Sequence, residues 1–161
     1  MRSVMDFMTG TALPPPSDQR IAWFEKAYRI ALPPDFAQIL KRNNGAIPLT
    51  NRFFEGARER VIERMLCLLE CPRDDEVHGW YDMTVVMTQL DARLICDEDL
   101  VGMNVIPIAS LFGGDFLCLD YRAHPDAPTI SVWDHEQSDE FQPHLTQVAK
   151  SFADLASGLR R

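Results

Sequence analysis

Apolar residues recur at helical spacing in four places along the chain. Ile21, Phe24, Ala27, Tyr28 and Ala31 mark one face of a helix that Ser17 can cap by accepting a first-turn amide. Phe36, Ile39 and Leu40 mark a second, which begins at Pro34 and stops at Asn43-Asn44-Gly45, where glycine tolerates the left-handed conformation of a helix end. Met83, Val86, Met87, Leu90 and Leu94 predict a helix over residues 80–94. Leu145, Val148, Phe152, Leu155 and Leu159 predict a last helix after Pro143, closed by Arg160 and Arg161 at the end where the helix dipole favours cations.

Between the third and fourth stripes the pattern changes. Residues 105–109, 115–121 and 129–133 are short runs rich in β-branched and aromatic types, separated by turn residues, as in consecutive antiparallel strands. Pro107 cannot donate to a ladder, so the first run reads as an edge strand or a strand start. Gly113-Gly114 reads as a hairpin turn, and the nearly continuous apolar run after it as a central strand covered on both sides. Residues 51–55 suit a short strand. Residues 58–70 stay open: Val61, Ile62, Met65, Leu66 and Leu69 fit a helical face, and residues 65–69 could equally be a buried strand.

Composition adds bounds. The 161 residues suit a single domain, with 46% hydrophobic and 25% charged residues. Three consecutive prolines, 14–16, favour an extended segment, so residues 1–17 read as an extension before a domain over 18–161. Asp6 interrupts the only N-terminal apolar run, which argues against a signal peptide, and no segment approaches the ~18 apolar residues of a membrane span. The expectation is a cytoplasmic protein with no membrane partner.

Charge is unevenly spread. Residues 71–140 hold fifteen Asp and Glu against three Arg, whereas the whole chain carries −8. Such a face repels phosphate, which argues against nucleic acid as partner, and steers toward basic proteins. The loops carrying Asp74, Asp75, Glu76, Asp97, Glu98, Asp99, Asp134, Glu136, Asp139 and Glu140 are the candidate binding surface.

The search for chemistry finds little. Cys67, Cys71, Cys96 and Cys118 form no C-x-x-C, and His78, His124, His135 and His144 form no H-x-H or H-x₃-H. No metal or other cofactor is expected, and Cys96 and Cys118 read as small, partly or fully buried hydrophobes. Gly113-Gly114-Asp115 is followed by a strand rather than a helix, so it lacks the amide cradle of a phosphate loop. Asp134-His135-Glu136, with Asp115 or Asp120, could hold an acid–base group, yet no nucleophile accompanies it. No catalytic residue is assigned. Trp23, Trp80 and Trp133 could instead line a ligand pocket.

Three strings, taken in order, carry a resemblance. L-P-P-D-F-A-Q-I-L-K-R-N-N-G, I-P-I-A-S-L-F-G-G-D-F-L-C-L-D-Y and the terminal A-K-S-F-A-D-L resemble the hallmark segments of the SUKH superfamily. That family includes cell-wall-synthesis regulator-like proteins and bacterial toxin-immunity proteins. The matching positions are Leu32, Pro33, Phe36, Asn44, Gly45, Pro107, Gly113, Gly114, Asp115, Asp120 and Phe152. The resemblance implies one α+β domain: a twisted, mainly antiparallel sheet with an N-terminal helix pair, a middle helix and a C-terminal helix packed on it. It also implies strands rather than helix within 52–70. In function it implies a non-enzymatic protein that binds and neutralises a cognate toxin, one that attacks nucleic acids in view of the acidic bias. The other role it implies is a regulatory or ligand-binding scaffold.

Overall fold

The computed structural model of the chain describes residues 5–161. Six strands form one antiparallel sheet in sequence order: β1 (Arg52–Glu55), β2 (Arg58–Met65), β3 (Val105–Leu111), β4 (Phe116–Asp120), β5 (Thr129–Trp133) and β6 (Leu145–Ala149). Helices α1 (Asp18–Tyr28) and α2 (Pro34–Asn43) precede it, α3 (Met83–Leu90) joins β2 to β3, and α4 (Phe152–Gly158) follows it. Every residue of β3 is buried, as are all of β4 and β5 except their first, so both faces of the central sheet are covered. The helices and sheet share one core that runs from Met5 to Leu159. This is the α+β architecture expected from the sequence.

The helix pair forms as its caps dictate. The Ser17 hydroxyl accepts from the Arg20 amide, and Pro34 occupies the first turn of α2. Phe36 meets Phe152 edge-on, with ring centroids 5.5 Å apart, which ties α2 to α4. The α1 stripe is narrower than its spacing suggests: Ile21 and Phe24 are buried, while Ala27 and Ala31 are exposed. Asn44 is buried, and its amide bridges the Pro14 and Leu68 carbonyls while its Oδ1 accepts from the Leu68 amide. Asp120 grips Arg122 through both oxygens and accepts from Ser131.

Residues 58–65, left open by local pattern, form the strand that the resemblance implies and pair with both β1 and β3. Other expectations are corrected. The middle helix is shorter than residues 80–94: a 3-10 turn at Gly79–Tyr81 precedes α3, and another at Asp91–Arg93 follows it. Its buried Asp82 ends the first turn and caps α3 by accepting from the Thr84 and Val85 amides. Pro107 does not mark an edge, since β3 lies between β2 and β4. The register there shifts between Pro107 and Ala109, leaving Ile108 as an extra residue, and a bulge is another place where a strand admits proline.

The last helix is the largest correction. Residues 145–149 are not its first turns but β6, paired with β5 from Trp133↔Leu145 to Ile130↔Ala149. Helix α4 ends at Gly158, and Arg160 pairs its backbone with Arg52 instead of closing the helix. Among the cysteines, Cys67 and Cys118 are buried, whereas Cys96 is exposed, against the expectation that it packs inside. Burial first, then the charge of Asp82, pushes the Cys67 thiol up to about 12, so it stays protonated.

Candidate interaction surface

The β3–β4 hairpin turns through Gly113 and Gly114, whose φ values of 101° and 98° are strained for any side-chain-bearing residue. A Cβ on Gly114 would lie 3.2 Å from the His135 ring, so glycine also lets that ring rest against the turn. The next residue, Asp115, is the hub of a buried polar network. Its Oδ2 accepts from Arg60 Nη2 at 2.7 Å, and its Oδ1 accepts from the His135 amide at 2.9 Å and meets His135 Nδ1 at 2.5 Å. Arg60 Nη1 donates to Glu55 at 2.8 Å. Arg60 and Asp115 are only 4% and 5% exposed. Burial alone would raise the Asp115 carboxyl, but donation from the His135 backbone and ring and from Arg60 outweighs it and holds the group below its ordinary value.

Asp115, Asp134 and His135 each offer one ligand atom, all within 4.8 Å of one another. A divalent cation could use such a trio. Yet the Asp115 oxygens already accept from Arg60 and His135, and those of Asp134 from the Glu136 and Gln137 amides and the Gln137 side chain. A cation here would compete with the hydrogen bonds that these oxygens already accept. The trio therefore fits a hydrogen-bonded corner better than a metal centre.

Beside this corner opens a cleft of about 250 Å³, lined by Glu63, Trp80, Tyr81, Gln89, Ser110 and the hairpin turn, with apolar Leu66 and Val86 among its walls. Trp80 also lines a second depression of about 300 Å³ with Pro72, Arg73, Asp75 and Glu76. The indole is 66% exposed, although its backbone neighbourhood is fixed. A Cβ on Gly79 would sit 2.4 Å from the Pro72 carbonyl oxygen, and the Tyr81 carbonyl accepts from the Cys67 amide at 2.8 Å.

The candidate acidic residues divide by position. Asp74 and Glu76 are exposed, and Asp75 accepts from the Val77 and His78 amides; donation by the His78 amide is the main reason its carboxyl lies below the ordinary value. Asp75 and Glu76 wall the second depression. Asp134 is half-buried in its own turn, whereas Glu136, Asp139 and Glu140 are exposed. Their loop touches the first cleft through His135 and Asp115, and the Phe141 amide donates to Ala92. Asp97, Glu98 and Asp99 are exposed on a separate stretch, tied through the Met103 amide to Tyr28 at the end of α1.

The three tryptophans do not line one pocket. Trp133 is fully buried, its Nε1 donating to the Arg93 carbonyl at 2.9 Å, and Trp23 stands half-exposed on α1. Of the three, Trp80 lines both of the clefts described above. Sequence reasoning missed Arg60, Glu63, Tyr81 and Ser110. A buried arginine in R-E-R-V-I-E-R looks like any solvated charge, because its buried carboxylate partner, Asp115, lies fifty-five positions away.

The model of the SMI1 / KNR4 family (SUKH-1) matches residues 15–158. Neither a curated protein nor a solved structure matches the chain.

Proposed function

The chain belongs to the SMI1/KNR4 family (SUKH-1), and from that premise we propose that it is a bacterial immunity protein. It binds a cognate protein toxin in the cytoplasm and blocks it without performing a reaction. The toxin presents a basic surface, as enzymes that attack nucleic acids do.

The observation that carries this reading is Trp80. A large aromatic stands 66% exposed between residues whose backbone is hydrogen-bonded, and it shares a depression with Asp75 and Glu76. Tryptophan is among the residue types on which binding energy concentrates. The uneven charge supports the same reading, because fifteen of the chain's twenty-four carboxylates fall within residues 71–140. Complementary charge raises the encounter rate with a basic partner.

The scaffold reading draws on the same cleft. A small-ligand site typically encloses ~300–1,000 Å³. The cleft beside the hairpin, about 250 Å³, falls below that range, and the second depression, about 300 Å³, only reaches its lower end, so each better suits one side chain of a protein partner.

The test is protection. Cells expressing the toxin domain encoded beside this chain's gene should survive when the chain is co-expressed and die without it. The purified pair should associate faster at low salt. Death of cells that contain both folded proteins overturns the proposal.

A further inference from the structure

The three tryptophans differ in one respect that singles out Trp80. Arg20 lies over the Trp23 ring with its Cζ 4.4 Å from the centroid, and Arg93 lies over Trp133 at 5.3 Å. Arg64 covers Tyr81 and Arg160 covers Phe54 in the same way, at 5.3 and 4.9 Å. Among the described residues no Arg or Lys stacks on Trp80, the most exposed of the three. An indole face is the strongest of the aromatic partners for a cation.

The cleft beside it also holds a carboxylate. Between β2 and β3 the register shifts from Ile62 to Arg64, so Glu63 is an extra residue with no partner in the ladder. Bulges of this kind re-aim a side chain. Glu63 Oε1 accepts from Ser110 Oγ at 3.1 Å, and among the described residues Glu63 meets no Lys or Arg within ion-pair distance. Of the other charges near the cleft, Asp115 is held by Arg60 and His135. Arg64, over Tyr81, meets no carboxylate within ion-pair distance among the described residues, and its guanidinium is turned to the Gly45 and Thr11 carbonyls. The second depression is less selective, because Arg73 stands there beside Asp75 and Glu76.

The geometry points to an arginine side chain of a partner protein as the occupant of the cleft between Trp80 and Glu63. The guanidinium would stack on the indole, pair with the Glu63 carboxylate and lay its methylenes along Leu66 and Val86, which line the same cleft. Arginine suits this better than lysine: its planar group both stacks and forks onto a carboxylate, and it is more weakly hydrated. The inference rests on the toxin-binding reading only for what the partner is.

The probe is a blocked glycine pentapeptide with a central arginine, titrated into the full chain. The readout is the Trp80 indole N–H resonance, assigned by its loss in Trp80→Phe. The arginine peptide should shift it saturably, and the neutral citrulline isostere should bind about tenfold more weakly. Glu63→Gln keeps an acceptor for Ser110 and should abolish that preference with the unfolding midpoint unchanged. Absence of a saturable shift, equal binding of the citrulline peptide, tighter binding of a norleucine peptide, or a preference that survives Glu63→Gln would each overturn the inference. Protection assays separate the two readings. If the peptides behave as expected but the chain fails to protect cells, the cleft stands and the toxin reading falls. If the chain protects, Trp80→Ala protects equally and the arginine peptide does not bind, the cleft falls and the toxin reading stands.

Discussion

At the scale of single residues, Asp115 carries the most structural consequence. It compensates the buried guanidinium of Arg60 and holds the amide of His135, so it joins β2, the hairpin turn and the end of β5. Removing one partner of a buried pair strands the other charge, at a cost of about 3–5 kcal/mol. Glu55 remains on Arg60, so we expect Asp115→Asn to cost about 3 kcal/mol in urea unfolding. The pH dependence has a definite sign. The native carboxyl sits below its ordinary value of 3.8, so its contribution is complete above that value and is lost as the pH falls through the native one. The wild type should therefore lose stability more steeply than Asp115→Asn on acidification below pH 3.8. Parallel acid profiles would show that this carboxyl is not linked to folding.

At the scale of elements, register shifts explain where local pattern misled. A strand repeats every two residues, and one extra residue stretches a single interval to three. Ile62 and Met65 are three apart because Glu63 is extra, and Leu145 and Val148 are three apart with Val148 itself the extra residue. Both intervals mimic a helix. Local propensity in residues 58–65 points the same way, and pairing with β1 and β3 overrides it. The family strings placed strands within 52–70 correctly, because those strings carry the tertiary pattern that propensity lacks. The end of α2 was legible from Gly45 alone. Its φ is +64°, and a Cβ there would lie 2.7 Å from the Cys67 Cβ. Gly45→Ala should therefore cost at least ~2 kcal/mol, combining left-handed strain with overpacking. A urea midpoint equal to that of the wild type would refute the close approach of the α2 end to Cys67.

At the scale of the whole molecule, charge is the readable quantity and its geometry is not. Composition indicates an acidic protein, and the acidic loops are exposed. Only the fold separates residues 97–99, tied to α1, from the loops around Trp80. If 97–99 faces the toxin, reversing Asp97, Glu98 and Asp99 to Lys should slow association about tenfold at low salt, a difference that shrinks as ionic strength shortens the ~10 Å screening length. Unchanged stopped-flow rates would place that loop away from the partner, and the same reversal at Glu136, Asp139 and Glu140 tests the loop beside the cleft. Among the described residues no helix is long and apolar enough to cross a membrane.

Sequence alone determined what depends on neighbours along the chain. Ser17, Pro34 and Gly45 bound the helix pair, Gly113 and Gly114 set the hairpin, and the ordered strings identified the family. Tertiary structure decided what depends on distant partners. It turned residues 145–149 into the strand that β5 required, placed Pro107 at a register shift inside the sheet, and brought Arg60 to Asp115. It also left Glu63 without a ladder partner in the cleft that Trp80 lines, where among the described residues no arginine covers the indole. The physical reason is range. Caps and turns satisfy their own backbone within a few residues, whereas ladders, buried charges and clefts are closed by groups that only folding brings together.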